Sequence, residues 1–407
     1  MSYCKSRCLM SLLVMILRSS PVIVLSLLAS SLMLTACNRP VEEVKIEIPK
    51  ADLKKVTRMI PSRVAERKLW ATDIISIMDT LKIERNLENT CSIIAVVDQE
   101  SNFIADPSVP GLGKKAAVEL NERLTAKLGA AVAERFTSML EQRPTPEENF
   151  AKRLEKVKTE QQLDALYREM FEYFKSHYKL GLVTGAASIV AGHDMAEYFN
   201  PVKTLGSMQV HIQYALEHPR EISNSNAIRD SMYTRDGGLY YGIHRLMGYP
   251  ADYDKPLYRF ADFNSGMYSS RNATIQKATA TLTGLPISLD GDLLSYNKDK
   301  DALSDVTSTE AALRRVIADG GGGISDRALR KDLLLEKQAE FEQTETYTLV
   351  RGLYEAKTGK PLPYAMMPEV VISGPKLSRD YNTNWYANRV NGRYLKCRRV
   401  GKQLGLK

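Results

Sequence analysis

The chain has 407 residues, which is enough for one large or two ordinary domains. Its 56 basic and 48 acidic residues give a net charge of +8, a mild excess that suits an anionic surface. The sequence contains no nucleic-acid-binding motif. The five histidines form no H-x-x-x-H pair, and neither G-x-S-x-G nor a phosphate loop occurs. We therefore expect no metal and no cofactor.

Residues 1–36 have the layout of a signal peptide. Three basic residues precede an apolar run over residues 22–33, and no acidic residue occurs before Glu42. The run ends in Leu-Thr-Ala directly before Cys37, which resembles the lipobox read by the lipoprotein signal peptidase. A transmembrane helix is the alternative, but the stretch over residues 21–36 is shorter than the roughly 20 residues that span a bilayer. We predict a lipid on Cys37 after cleavage.

The residue after Cys37 indicates the destination. It is Asn38 rather than Asp, which resembles the signal for transfer to the outer membrane, so we expect a lipid-anchored outer-membrane protein on its periplasmic or surface face. Such a location also excludes a nucleic-acid partner. Removing three basic residues with the signal lowers the net charge from +8 to +5. The most basic segment is then the C-terminus, with Arg389, Arg393, Lys396, Arg398, Arg399 and Lys402. This cluster is either a surface that contacts the anionic envelope or a solvated tail.

The cysteines predict one disulfide. Of the five, two lie in the signal peptide and Cys37 takes the lipid, which leaves Cys91 and Cys397 in an oxidising compartment. The alternative is two separate buried thiols. A bond between Cys91 and Cys397 would hold the C-terminal segment beside the helix that carries Cys91.

Hydrophobic periodicity predicts a mainly α protein. Apolar residues recur at helical spacing, for example at Leu163, Leu166, Met170 and Phe174. Thr145 and Thr159 each stand three residues before Glu or Gln, the capping-box spacing that begins a helix. Strand signal is confined to short pieces such as residues 286–289 and 370–373, so any sheet is expected to be small. We divide the chain into a signal (1–36), a lipidated linker (37–60), a core (61–285) with a helical insertion at about 114–200, and a C-terminal extension (286–407).

One predicted helix carries a carboxylate on an apolar face. Ile93, Val96, Val97 and Glu100 occupy positions i, i+3, i+4 and i+7, so Glu100 ends an otherwise apolar stripe. Partial burial and the negative end of the helix dipole would both raise its pKa, as a general acid near neutrality requires. The alternative is a helix-end Glu that points into water.

Three blocks then carry a resemblance. Glu100-Ser101-Asn102-Phe103, Gly206-Ser207-Met208-Gln209 and the segment 261–266 look, in this order, like the E-S-x-F, G-x-M-Q and A-x-Y-N-x-G signatures of lytic transglycosylases. The helix of small residues between the second and third blocks matches as well. The resemblance implies a lysozyme-like helical core with a long helical insertion and a C-terminal extension.

The mature chain also resembles the YaiW-like family of proteobacterial outer-membrane lipoproteins. The matching segments are 89–92, 99–103, 105–107, 109–112, 259–264 and 289–293.

The transglycosylase resemblance implies a reaction on peptidoglycan glycan strands. Glu100 would protonate the glycosidic oxygen and then, as a carboxylate, accept the proton of the muramyl C6 hydroxyl, so that a 1,6-anhydro end forms without a second carboxylate. Ser101 would lie near the acid, and the amides of Gln209 and Asn264 would hold substrate. Tyr258, one of seven tyrosines between residues 233 and 268, offers a flat face for a sugar ring, although core packing is the commoner role for such residues.

Two departures keep a second hypothesis open. Between Glu100 and Gln209 lie 108 residues, more than the usual short lobe, and Phe263 stands where the family normally has Tyr. The alternative is a non-catalytic lipoprotein that uses the lysozyme-like fold to bind a glycan or an envelope protein partner. In both cases the expected contacts are an envelope glycan and, through the anchor on Cys37, a lipid membrane.

Overall fold

The computed structural model describes residues 49–178, 197, 199–221, 223–297, 301–321, 323–372 and 380–406. The predicted signal peptide and Cys37 lie outside the described residues. The described chain is mainly helical, as the periodicity predicts. Its first seven helices are α1 (Lys50–Met59), α2 (Arg67–Thr80), α3 (Leu87–Glu100), α4 (Leu112–Leu128), α5 (Ala130–Leu140), α6 (Phe150–Lys156) and α7 (Glu160–Tyr178).

The remaining helices complete the described chain. They are α8 (Ile212–Glu217), α9 (Ser225–Met232), α10 (Arg235–Met247), α11 (Pro256–Ser265), α12 (Ser269–Thr283), α13 (Ser308–Gly320), α14 (Asp326–Leu333), a 3₁₀ turn (Ala339–Gln343), α15 (Glu345–Thr358) and α16 (Thr383–Gln403).

Strands are short and few in the described ranges. The antiparallel pair β1 (Thr204–Leu205) and β2 (Val210–His211) aligns Thr204 with His211. The antiparallel pair β3 (Val371–Ile372) and β4 (Tyr381–Asn382) aligns Val371 with Asn382. A strand therefore forms within the predicted segment 370–373. The prediction for residues 286–289 is wrong, because this segment runs as irregular chain, and the backbone hydrogen bond from the Glu369 N–H to the Leu289 carbonyl at 2.8 Å does not extend into a strand pair.

Helix starts follow their caps. The hydroxyl of Thr159 accepts a hydrogen bond from the Gln162 N–H at 3.3 Å, and the Gln162 side chain accepts one from the Lys158 N–H at 2.9 Å, so α7 begins as predicted. The start predicted at Thr145 is wrong. There α6 begins at Phe150, because the side chain of Asn149 accepts from the Lys152 N–H at 2.8 Å.

The described residues from Pro49 onward belong to one compact unit with two hydrophobic clusters. The larger cluster buries the apolar faces of α1 to α7, α10 and α11, and it also takes in Tyr386, Val390 and Tyr394 of α16. The smaller cluster joins Ile275 and Ala278 of α12 to the helices of the C-terminal region. The C-terminal helix α16 is therefore part of the larger core, where it packs chiefly on α3 and α11.

One disulfide and one buried group of ion pairs join segments that are far apart in the sequence. Cys91 of α3 is bonded to Cys397 of α16 with their Cα atoms 5.5 Å apart, which is the pairing predicted from the cysteine count. The buried guanidinium of Arg229 donates to Asp164 of α7 at 2.7 Å and to Glu197 at 2.6 Å. The helical insertion is thereby tied to α9 of the core.

Candidate functional site

Glu100 is the last residue of α3, and its surroundings depart from those of an ordinary helix-end carboxylate. The preceding stripe residues Ile93, Val96 and Val97 are fully buried, and the side chain of Glu100 is partly exposed. Burial raises the pKa of Glu100 from 4.5 to about 7, although a hydrogen bond from Tyr386 and the charge of Arg393 both act to lower it. A carboxyl with this pKa is populated in both protonation states near neutral pH, as a combined acid and base requires.

Tyr386 of α16 covers the Glu100 carboxylate. Tyr386 is 7% exposed, and its hydroxyl donates a hydrogen bond to Glu100 Oε1. Burial, followed by the neighbouring negative charge of Glu100, raises the pKa of Tyr386, so the phenol stays a donor. The sequence prediction did not single out this residue.

The disulfide could have pointed to Tyr386. The distance from Cys91 to Glu100 is nine residues, and the distance from Cys397 back to Tyr386 is eleven. At a rise of 1.5 Å per residue, Glu100 lies about 14 Å along α3 from Cys91, and Tyr386 lies about 17 Å along α16 from Cys397. In two antiparallel helices that are linked at the cysteines, these two positions lie side by side. The cysteine pairing therefore limits the residues that can face Glu100 to a single turn of α16.

The turn before β2 carries the predicted Gln209. Its backbone φ is +51°, and its amide Nε2 donates to Glu160 Oε2 at 3.0 Å while its Oε1 accepts from Thr204 Oγ1 at 3.0 Å. The amide thus binds this turn to α7, and a substrate would have to replace these hydrogen bonds. Met208 is fully buried against α10, where a Cβ on Gly242 would lie 2.2 Å from the Met208 sulfur.

The other predicted substrate-binding residues occupy different surroundings. Ser101 is buried, and its hydroxyl donates to the Val97 carbonyl at 3.2 Å. Asn264 is exposed near the end of α11. Tyr258 is partly exposed, with its ring 5.8 Å from the ring of Tyr253. Their roles toward a substrate stay predictions.

A groove of about 490 Å³ runs past β2, α8 and the end of α11. Its lining includes Gln209 and Phe263, but Glu100, Ser101, Tyr258 and Asn264 are not among the residues that form its wall; other lining residues are Tyr214, His218, Arg245, Asp292 and Lys337. The structure therefore brings Gln209 together with Phe263, and Glu100 is not part of this groove's lining.

Arg245 is one of the residues that line the groove. Its guanidinium is 5.8 Å from the Phe263 ring and 5.6 Å from the Tyr214 ring in the groove. The same positive charge acts on Tyr386. Arg245 Nη1 is buried and has no hydrogen-bond partner in the described part of the chain. This nitrogen is therefore an unsatisfied donor in that part of the chain.

The third signature block is anchored by Asp262, which sequence reasoning missed. Its fully buried carboxylate accepts hydrogen bonds from the Tyr249 hydroxyl at 3.2 Å, the Ser269 hydroxyl at 3.0 Å and the Ser270 N–H at 2.8 Å, and also from Tyr253. Burial raises the pKa of Asp262. Two of the seven clustered tyrosines thus hold α11 against the start of α12.

The described ranges contain no group of three or more His, Cys, Asp or Glu side chains placed to hold a metal ion. Nor is any helix within those ranges long and apolar enough to cross a membrane.

Comparison with known proteins identifies the family. No solved structure matches the chain. "Uncharacterized protein YaiW" of Escherichia coli (strain K12) is 35% identical over 384 residues, which cover 93% of this chain and 99% of that protein. Residues 63–399 match the family described as "Protein of unknown function (DUF1615)". Since this match spans most of the chain, the protein belongs to the DUF1615 family and is YaiW-like.

Proposed function

We propose that this protein is an envelope lipoprotein with a lytic transglycosylase-like core, which cleaves peptidoglycan glycan strands with Glu100 as its single acid and base. The observation that carries the proposal is the Glu100 carboxyl, which ends a buried apolar stripe and has a pKa of about 7. A carboxyl with the usual pKa would be ionised at neutral pH and would have no proton to donate.

The reaction follows from this protonation state. Protonated Glu100 gives its proton to the glycosidic oxygen as the bond to the muramyl anomeric carbon breaks. The resulting carboxylate then takes the proton of the muramyl C6 hydroxyl, whose oxygen closes on the anomeric carbon to give a 1,6-anhydro end. Glu100 is protonated again after the cycle, so no second carboxylate is needed.

Tyr386 supplies a phenol beside the acid. Phe263, which stands where the transglycosylase signature has a tyrosine, has no hydroxyl to supply. Its hydroxyl donates to Glu100 Oε1 and would hold the carboxylate in one orientation between the two proton transfers. Arg245 lines the groove and would present a positive charge to substrate oxygens there. Gln209 and Asn264 are the proposed contacts along the glycan strand.

The lipid anchor and the lysozyme-like core belong to the same proposal. The anchor rests on the signal-like residues 1–36 and on Cys37, with an outer-membrane address from Asn38. The lysozyme-like core rests on the three sequence blocks and on a mainly helical chain in which α3, α10 and α11 pack together. Its expected contacts are peptidoglycan or another envelope glycan, and a membrane.

A second candidate is a non-catalytic lipoprotein that binds a glycan or an envelope protein. The specific observation in its favour is that α16 covers Glu100 with Tyr386, while the groove wall excludes Glu100. In this case the groove itself would be the binding surface.

Digestion of purified peptidoglycan tests the proposal. We would compare the soluble form that begins at Asn38 with Glu100→Gln and identify fragments by mass spectrometry. We expect anhydro-muropeptides from the parent and a loss of at least about a hundredfold in the variant, because the general acid is absent.

Two control variants separate chemistry from folding. Glu88→Gln removes an exposed carboxylate from the same helix, and Glu336→Gln removes a fully buried carboxyl whose pKa is also about 7. Both should retain activity within about threefold. If the folded parent releases no fragments, the enzyme proposal fails and the binding candidate replaces it.

A further inference from the structure

A second concave site lies between α1, α3 and α16. It has a volume of about 690 Å³, and we call it the basic pocket. Its charged lining consists of six cations and one carboxylate: Arg58, Arg63, Arg67, Arg389, Arg393, Lys396 and Asp98. The C-terminal basic cluster of the sequence thus meets three arginines from the start of the described chain.

Within the described residues, one carboxylate is shared by two of these cations. Asp98 is 5% exposed, and its carboxylate pairs with Arg63 and, at 3.1 Å, with Nε of Arg393. In the described part of the chain no carboxylate pairs with Arg58, Arg67 or Lys396. The guanidinium of Arg389 stacks on the Trp385 ring at 5.0 Å.

A concave site that collects this much positive charge is unfavourable without an anion. Six cations and one anion leave a formal charge of +5, and like charges that share a concavity repel one another. A solvated basic tail would separate these side chains, whereas the packing of α16 on α3 holds them around one cavity. An anionic ligand would relieve the repulsion.

The pocket is preorganised for such a ligand. Asp98 fixes two guanidinium groups at its edge, and the disulfide between Cys91 and Cys397 holds the two helices that form its walls. Ile94 and Ala95 give it an apolar floor. Arginine side chains bind phosphate through paired N–H donors, and the volume suits a small organic phosphate.

The basic pocket is separate from the groove that Gln209 and Phe263 line. Asp98 and Glu100 are two residues apart on α3, which places them about 200° apart around the helix. The residues that line the basic pocket and those that line the groove do not overlap. A ligand in this pocket therefore does not depend on the proposed function.

We infer that the basic pocket binds a phosphate-bearing anion, which is the headgroup of a phospholipid or a phosphorylated sugar. Both sources present the same phosphate to the arginines, and the apolar floor accepts the carbon skeleton beside it.

Calorimetric titration with inorganic pyrophosphate tests the inference. The full chain is purified in a non-ionic detergent and titrated at constant ionic strength, beside the double variant Arg58→Gln/Arg67→Gln. These two arginines have no carboxylate partner among the described residues, so their loss should leave the fold intact, as checked by thermal unfolding. We expect saturable binding by the parent and a loss of affinity of about tenfold or more in the variant.

The matched control is Arg327→Gln/Arg399→Gln, which removes two exposed arginines outside the pocket, one of them on α16 itself. It should bind pyrophosphate like the parent. Equal losses in both double variants, or no saturable binding by the folded parent, would overturn the inference, because the attraction would then be unspecific or absent.

Competition identifies the source of the phosphate. Short-chain phosphatidylglycerol represents a phospholipid and glucosamine 1-phosphate a phosphorylated sugar. The compound that displaces pyrophosphate at the lower concentration identifies the natural class. Failure of both to displace it would contradict the inference, since neither class would then fit the pocket.

Discussion

Glu100 and Glu336 have similar acid–base properties in two different parts of the molecule. Burial raises the pKa of each from 4.5 to about 7, and each accepts a hydrogen bond from a tyrosine, Tyr386 for Glu100 and Tyr296 for Glu336. Their surroundings differ. Glu336 is 0% exposed and also accepts from the Leu293 N–H, whereas Glu100 is partly exposed at the end of α3.

The comparison shows that a raised pKa alone does not identify a catalytic group. Glu336 is enclosed in the smaller core, where its backbone carbonyl also accepts from Arg271 at 2.6 Å and Asn272 at 3.0 Å. A substrate cannot reach it. Glu100 is partly exposed at the end of its helix, beside the Tyr386 hydroxyl. Access, rather than acidity, distinguishes a candidate acid from a structural carboxyl.

Removal of the disulfide should have the largest effect on stability and should affect only one of the two carboxyls. In Cys91→Ser/Cys397→Ser the link across 306 residues is lost, and we expect the free energy of unfolding to fall by about 2–5 kcal/mol in a urea titration. Because α16 then separates more easily from α3, the pKa of Glu100 should fall toward 4.5, as measured by carboxyl NMR.

Glu336 is the internal reference in that experiment, since its cluster does not contain the disulfide. Its pKa should stay near 7 in the double variant. Equal shifts at both carboxyls would mean that the two regions are not separable in this way.

Glu336 should also make stability depend on pH. Its folded pKa of about 7 lies above the ordinary value of 4.5, so the folded state binds the proton more tightly. This stabilisation is complete below about pH 4.5 and is lost as the pH rises through about 7, by on the order of 3 kcal/mol. Glu336→Gln should therefore lose less stability than the parent between pH 5 and pH 8 in urea titrations.

The exposed Glu355→Gln serves as the control and should follow the parent. Glu100 titrates in the same direction in all three proteins, so their difference isolates Glu336. A parent and a Glu336→Gln variant with parallel pH profiles would contradict the assignment.

The smallest effect is expected from the two tyrosines. The hydrogen bond from Tyr386 lowers the pKa of Glu100, so Tyr386→Phe should raise that pKa further, by less than about one unit. The pH at which anhydro-muropeptide release falls to half should move upward accordingly. Tyr296→Phe removes the corresponding bond from Glu336 and should leave the pH–rate profile unchanged. An unshifted profile in Tyr386→Phe would exclude the phenol as a positioning group for the acid.

Local features of the fold could be read from the sequence. The apolar stripe over Ile93, Val96 and Val97 predicts the helix and the unusual place of Glu100 at its end, and the cap at Thr159 predicts the start of α7. The cysteine count predicts the pair Cys91 and Cys397. Side-chain periodicity and backbone capping are local signals that extend over a few residues. The cysteine count requires no information about distance along the chain.

Contacts across the chain were decided by the tertiary structure. Tyr386 donates a hydrogen bond to Glu100, which is 286 residues away in the sequence. The amide of Gln209 donates to Glu160, which is 49 residues away. The segment 286–289 has strand-like composition but no partner strand, and a strand needs one to satisfy its backbone groups.

The basic pocket shows the same division. The sequence by itself determined that the C-terminus is rich in Arg and Lys. Only the packing of α16 on α3 decided that these side chains meet Arg58 and Arg67 around one cavity, because proximity between chain ends depends on how helices pack and not on any local pattern.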